Sequence, residues 1–253
     1  MDNLQRTKDH YKKYNPSYFQ SYGLVLQSYM TKNVPEMLAF MAAKMNLKNG
    51  DSVLDAGSGF GGPAFYFSKL FDLNILGINI DPKQVMFSTK FAKKNNMSNI
   101  TFKLHDFHEL YSLSKENAFD KIYFLESIGH CNDLLSVFNE CSKVVNKDGL
   151  VFIKTMFSKP SLADEQPNAV KDVGSFYGYT VYDESYFKKA VAKSKFIIDE
   201  ISEFPNMDLN LNRVGVFESM VKDDTPGDMV SNNCKLGWKN FSMKYIILKK
   251  GKN

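Results

Sequence analysis

The stretch VLDAGSGFGG, Val53 to Gly62, constrains this chain of 253 residues more than any other. An apolar run stops at a carboxylate, Asp55, and four glycines follow within six positions. A buried strand that turns sharply into a helix calls for glycine, because only bare backbone takes a positive φ freely and lets a ligand come close. The chain beyond this loop keeps the same rhythm. NILGINI, NITFKLHDF, FDKIYFL and GLVFIKTMF read as strands, separated by the helical runs GPAFYFSKLF, PKQVMFSTKFAKKNN and LLSVFNECSKVV. Strands alternating with helices of this length predict a doubly wound α/β sheet, mainly parallel, with helices on both faces.

Either end departs from that rhythm. Before the glycine loop the residues are polar and aromatic, then amphipathic, with VPEMLAFMAAKMNL opened as a helix by Pro35. After it come a helix, YDESYFKKAVAKS, and two strands, KFIIDEISEF and SMKYIILKK, the last expected to join antiparallel as a mixed edge. The expected organisation is one structural domain in three parts: a helical cap over residues 1–48, the cofactor-binding half of the sheet over 49–157, and a substrate-side half over 158–253. Segments 158–182 and 205–241 lack a clear period and are expected to act as covers.

A charge of +4, from 32 basic and 28 acidic residues spread along the chain, gives no basic stripe for a nucleic acid. No stretch approaches 18 uncharged apolar residues, so stable membrane insertion is not expected. Cys131, Cys141 and Cys234 are unpaired in spacing, which suits reduced thiols and a cytoplasmic setting. A homo-oligomer is left open.

Gly57, Gly59 and Gly62 also fit the dinucleotide pattern G-x-G-x-x-G, so glycine spacing does not choose the ligand. Asp55 does. A fixed carboxylate repels a pyrophosphate and suits a positive amino group, while Pro63 removes one N–H from a would-be phosphate cradle. With that carboxylate the motif resembles the first motif of the class I S-adenosylmethionine-dependent methyltransferases, a likeness running from about Gly50 to Phe157. It implies a Rossmann-like fold with a seven-stranded sheet and an antiparallel last strand, S-adenosylmethionine as cofactor and S-adenosylhomocysteine as product. In LGINIDPKQ an asparagine, Asn79, replaces the usual ribose-binding acid, and this form is similar to the sterol, cyclopropane-fatty-acid and prenyl-diphosphate C-methyltransferases.

The resemblance implies contacts to the cofactor from Asp55, Gly57, Ser58, Gly59, Ile80 and Glu126, to the ribose from Asn79 and Gln84, and to adenine from Asp106 and Phe107. Asp81 reads as the N-cap of the helix at Pro82. His105 and His108 form an H-x-x-H pattern, but no third histidine stands at ligand spacing, so no metal is expected there. Glu126, in FLESIGHCND at the end of the fourth strand, faces the expected methyl in the resemblance and is the candidate base. His130 is the second catalytic candidate.

Tyr22, Phe176, Tyr177, Tyr179 and Tyr182 are expected to wall a pocket for an apolar or amphipathic small molecule. Tyr14, Tyr18, Phe19 and Tyr29 would close it from the other side. The favoured chemistry is carbon methylation of an alkene such as an isoprenoid. Mg²⁺ enters only if that acceptor carries a diphosphate, for which Lys154, Lys159 and Arg213 are the basic candidates. O- or N-methylation of a natural product is the alternative; a nicotinamide-dependent oxidoreductase and a non-catalytic module with the same fold are the remote ones.

Overall fold

In a computed structural model, the residues described are 3–114, 118–159, 176–205 and 241–251, with isolated positions at 174, 210, 212, 213, 216, 219 and 220. Most of the two expected covers lies outside them. Seven strands form one sheet: β1 (Ser52–Ala56), β2 (Asn74–Asn79), β3 (Ile100–Leu104), β4 (Phe119–Leu125), β5 (Val145–Ser158), β6 (Phe196–Glu203) and β7 (Phe241–Lys250). Their order is β3-β2-β1-β4-β5-β7-β6, parallel up to β5 and antiparallel on both sides of β7. The continuous α-helices among the described residues are α1 (Asn3–Tyr22), α2 (Val34–Met45), α3 (Gly62–Leu70), α4 (Pro82–Lys94), α5 (Leu110–Leu113), α6 (Leu134–Val144) and α7 (Glu184–Ala192).

One expectation needs correction. The last strand is antiparallel, as the resemblance implied, but it lies inside the sheet, with β6 as the edge. Burial explains the order. In β7, Tyr245, Ile246, Ile247 and Leu248 are all buried, so both faces of that strand are covered. Strand β6 carries Asp199, Glu200 and Glu203 and buries little, which suits an edge that must not invite another strand.

Alternation along each strand feeds two cores. Leu54 and Ala56 of β1 face Phe124, Val137, Phe138 and Phe187, the side of α5, α6 and α7. Val53 faces Met37, Met41, Ala64, Phe67 and Tyr123, the side of α2 and α3. Helix α2 thus packs into the second of these cores, on the face opposite the main core of α5, α6 and α7, whereas α1 forms a separate aromatic cluster of Tyr14, Tyr18, Tyr22 and Phe60 beside the glycine loop. Side chains cap most helix starts: Asn33 for α2, Asp81 for α4, Asp133 for α6 and Asp183 for α7. Helix α3 is different. Its cap is Gly61, which has no side chain to offer.

Candidate active site

At the carboxyl end of β1 the chain turns through Gly57 at φ 93°. A Cβ there would run into Ser127, 2.8 Å from its Oγ, so only glycine lets the ends of β1 and β4 approach. The N–H groups of Gly57 and Ser58 both donate to Ile78 O, at 3.0 and 2.9 Å. They bind the loop to β2 rather than pointing at a ligand. What the corner does offer is side chains. Asp55 Oδ2 and Ser58 Oγ are buried and have no hydrogen-bond partner among the described residues. Burial pushes Asp55 up to about 7, opposed only by the Tyr123 hydroxyl, which lies near without closing a bond of its own. A buried carboxylate and hydroxyl left wanting donors fit a ligand that brings an ammonium.

The ribose candidates stand one strand over. Asn79 ends β2, Asp81 caps α4 by accepting from Gln84 N at 2.8 Å, and Asn79 Nδ2 donates to Gln84 Oε1 at 2.7 Å. Gln84 and Ser88 face inward from α4, and Ser88 Oγ reaches Gly59 O at 3.3 Å. Ile80 is half-buried just beyond the strand. Asn15, from α1, completes this polar group by bonding Gln84 and Asp81.

Asp106 follows β3. Its Oδ1 accepts from His108 N at 2.9 Å and from His108 Nδ1 at 2.6 Å. Burial works against ionisation, yet these His108 contacts hold the carboxyl below its usual range. Asn132 N donates to the other nitrogen of His108, so that ring is spent on structure. Phe107 is buried against Phe124 at 5.6 Å, in the main core.

Glu126 has φ 62°, the left-handed region that a long side chain rarely occupies. Its Oε1 pairs with Lys154 Nζ, which is fully buried under it with a ring face of Phe204 5.1 Å away. Its Oε2 accepts from Tyr29 Oη at 2.5 Å. Burial pulls the Lys154 ammonium below its ordinary value, opposed by Glu126. Lys154 is therefore not the outward-facing cation that the sequence suggested for a diphosphate. Arg213 is engaged too, donating to Tyr22 O at 2.9 Å and to Ser28 Oγ at 2.6 Å. Lys159 is exposed beyond β5.

His130 bonds the cover. Its Nδ1 lies 2.9 Å from Gly178 O, an acceptor, so that nitrogen carries the proton and Nε2 accepts from Tyr11 Oη at 3.3 Å. Burial lowers it to about 4, against the Gly178 carbonyl, and it stays neutral at pH 7. His10 is held lower still, to about 3, by burial and then by His130. Around these imidazoles stand Tyr11, Tyr14, Tyr18, Phe176, Tyr177 and Tyr179.

Of the pocket candidates, Tyr22, Phe176 and Tyr177 join the cap cluster, and Tyr179 lies against His130 and Gly129, bonded to Thr155 Oγ1 at 2.6 Å. Tyr182 does not join them. It sits in the main core, bonds Ile128 O at 3.0 Å and stacks on Tyr186. The sequence reading missed Thr7, His10, Tyr11, Asn15 and Gln27, all from the cap. Gln27 Nε2 bonds Leu125 O at 2.8 Å, and Leu24 O accepts from Gly62 N at 3.2 Å, so the cap is fastened at the ends of β4 and α3.

A family model described as a methyltransferase domain matches residues 47–204, from the end of α2 to just past β6. The chain belongs to the methyltransferase domain family. Among curated proteins, this methyltransferase-family chain is 33% identical over 112 residues to the sterol 24-C-methyltransferase of Aspergillus fumigatus, covering 44% of the chain and 29% of that protein. It is 30% identical over 155 residues to phosphoethanolamine N-methyltransferase 1 of Triticum aestivum, covering 60% of the chain and 30% of that protein. The matches thus span less than a third of either relative. Among solved structures, the geranyl diphosphate C-methyltransferase of Streptomyces coelicolor, held with Mg²⁺, geranyl diphosphate and S-adenosylhomocysteine, shares the fold. Its TM-score is 0.69 at 16% identity, over 85% of this chain and 79% of that one.

No helix among the described residues is long and apolar enough to cross a membrane.

Proposed function

We propose that this chain transfers a methyl group from S-adenosylmethionine to an apolar small molecule, by carbon methylation of an alkene such as an isoprenoid. The observation that carries the reading is Glu126, a carboxylate kept at a strained φ of 62° beside the glycine loop and clamped by both oxygens. Such strain costs about 1–3 kcal/mol and persists where the surroundings fix one conformation, most often at a working site. S-adenosylmethionine, when bound, supplies a methyl on a sulfonium already activated for transfer. What remains for the protein is to seat the acceptor in line and keep water out.

Asp55 and Ser58 would meet the ammonium end, Asn79 and Gln84 the ribose, and Asp106 the adenine amino group through Oδ2, the oxygen that the two His108 bonds do not use. Tyr29 bonds Glu126, Tyr22 packs beside Tyr29, and Tyr11 and Tyr179 lie close enough for the Glu126 charge to act on their hydroxyls. Ring faces stabilise a cation by up to ~2 kcal/mol once desolvated, which suits the cation that an alkene becomes on gaining a methyl. The proton that must then leave goes to Glu126 or to a base it positions; Tyr29, bonded to its Oε2, fixes the direction. With Lys154 and Arg213 both engaged, the reading favours an acceptor without a diphosphate, and Mg²⁺ belongs to it only if one is found.

The sterol-methylating relative supports a carbon acceptor. The wheat relative supports N-methylation as the second reading. Incubation with methyl-labelled cofactor and a panel of sterols, neutral terpenes, prenyl diphosphates, fatty acids and amines separates them by which compound gains the label. Glu126→Gln should then abolish turnover on an alkene while leaving S-adenosylhomocysteine affinity within a few-fold. An amine as the labelled product, with Glu126→Gln still active, would overturn the favoured chemistry.

A further inference from the structure

Four polar side chains lie buried together where α1 meets the ends of β2 and α4: Asn15, Asn79, Asp81 and Gln84. They form a closed ring of hydrogen bonds. Asp81 N donates to Asn79 Oδ1 at 3.0 Å, Asn79 Nδ2 to Gln84 Oε1 at 2.7 Å, Gln84 Nε2 to Asn15 Oδ1 at 2.6 Å, and Asn15 Nδ2 to Asp81 Oδ2 at 3.0 Å. The other Asp81 oxygen accepts from Gln84 N.

The carboxylate gives this ring a direction. Each of the three amides can turn over, exchanging its donor and acceptor ends, whereas a carboxylate only accepts. Asn15 must therefore aim its nitrogen at Asp81 and its oxygen at Gln84. That fixes the Gln84 amide, which in turn fixes Asn79, whose oxygen meets the Asp81 N–H. The Asp81 N–H anchors the ring from its other end through Asn79, so removing Asn15 leaves the Gln84 amide held by its oxygen alone, with its nitrogen's partner gone. The ring also has capacity to spare. Each amide nitrogen keeps a second hydrogen and each amide oxygen a second lone pair. A pair of neighbouring hydroxyls, each able to donate and accept, can be taken on without breaking a ring bond.

We propose that Asn15 is a positioning residue for the cofactor, carried by the cap: it holds the Gln84–Asn79 amide pair in the one orientation that recognises a ribose diol, and it ties binding of that diol to the docking of α1. This rests on the reading of a ribose-bearing cofactor at the ends of β1 and β2. It makes the cap a part of cofactor recognition as well as a cover, and it gives the buried Asp81 a second task beyond capping α4.

The test uses the full chain and two probes, S-adenosylhomocysteine and its 2′-deoxy analogue, titrated calorimetrically, with hydrogen exchange of α1 followed in parallel. The wild-type chain should prefer the ribose form. Asn15→Ala should weaken S-adenosylhomocysteine by about tenfold, the equivalent of one or two buried hydrogen bonds, with far less effect on the 2′-deoxy analogue. The preference collapses, and S-adenosylhomocysteine no longer slows exchange in α1. Asp81→Asn serves as the second variant. Asparagine still caps α4 with its oxygen, but its nitrogen then replaces the oxygen that accepts from Asn15 and sets two donors face to face, so the same loss of preference is expected with α4 intact. Equal weakening of both probes, or of neither, would overturn the proposal while the cofactor reading stands. A wild-type chain that binds neither probe would overturn both.

Discussion

Asp55 sets stability against binding, and its burial determines the size of that conflict. Its carboxyl moves from 3.8 to about 7 in the fold, chiefly through desolvation. At about 1.4 kcal/mol per tenfold change in proton affinity, this amounts to roughly 4 kcal/mol. Because the folded chain keeps a proton that the unfolded chain has released, stability falls as pH rises between 3.8 and about 7. Above that window the whole penalty is present; below it there is none. Asp55→Asn removes the charge and with it the penalty. At pH 8 the ligand-free variant should melt higher by up to ~8–16 °C, taking ~2–4 °C per kcal/mol for a domain of this size. At pH 4 the two should melt together. Binding should move the opposite way. A cationic ligand favours the ionised carboxylate, so wild-type affinity for S-adenosylhomocysteine should rise about tenfold per pH unit below about 7 and level off above it, with a proton released on binding. Asp55→Asn should lose about tenfold or more of that affinity at pH 8, the worth of a charged hydrogen bond. Melting curves at both pH values, with titrations in buffers of different protonation enthalpy, read all of this. An equal gain in melting temperature at pH 4 and pH 8, or unchanged affinity, would refute the placement of an ammonium on this carboxylate.

Gly57→Ala should cost about 2–4 kcal/mol, from the positive φ and the collision with Ser127, and lower the melting temperature even without a ligand. A loss of binding with unchanged stability would mean that the glycine serves the ligand alone. Glu126→Gln strands the buried Lys154 and should destabilise by about 3–5 kcal/mol, whereas adding Lys154→Met should recover most of this without restoring turnover. A double variant as unstable as the single one would show that the ion pair is not what the stability measures. Tyr29→Phe removes the 2.5 Å bond to Glu126 and should slow methyl transfer while leaving S-adenosylhomocysteine affinity within about threefold, since one hydrogen bond at the far side of Glu126 is lost. Single-turnover rates and titration on one preparation check it. His130 is neutral down to about 4, so the rate profile should show no limb near 6.5 that His130→Gln abolishes.

The parts of the fold visible in the sequence are those set by local chemistry. A carboxylate between an apolar strand and a glycine turn fixes β1 and α3, and strict alternation fixes the parallel half of the sheet. The position of β7 depended on comparing two strands, and the information was present. YIIL is a continuous apolar run and belongs where both faces are covered, whereas FIIDEISE carries the charges of an edge. The helix α1 was similarly half-visible. Tyr11, Tyr14, Tyr18 and Tyr22 recur at helical spacing, but the segment is polar and has Pro16 inside it, which argues against a helix unless something outside supplies the stability. Here aromatic packing against Phe60, Phe176 and Tyr177 does so. Lys154 carried a readable sign as well: a lysine in the apolar run VFIKTMF must either snorkel or find an anion, and the nearest carboxylate at the same end of the sheet is Glu126. Asn15 carried none. Its partners lie 66 and 69 positions away, and only the folded cap brings them together.

These partners share a pattern that bears on how the site would operate. Several groups at the carboxyl ends of the strands are held by residues of the cap: Gln84 and Asp81 by Asn15, Glu126 by Tyr29, the Leu125 carbonyl by Gln27, and His130 by Tyr11 and Thr7. Asp106 is held by His108 instead, whereas Asp55 Oδ2 and Ser58 Oγ are buried without a hydrogen-bond partner among the described residues. A cap that satisfied every polar group would have no reason to admit a ligand. One that leaves a carboxylate and a hydroxyl unsatisfied keeps several kcal/mol of unmade hydrogen bonding in reserve, at about 1–3 kcal/mol per buried group and more for a charge. Binding then gains most at the corner where the cap contributes nothing. The ammonium end of the ligand should therefore dominate affinity, while the ribose end, already organised by Asn15, should dominate selectivity.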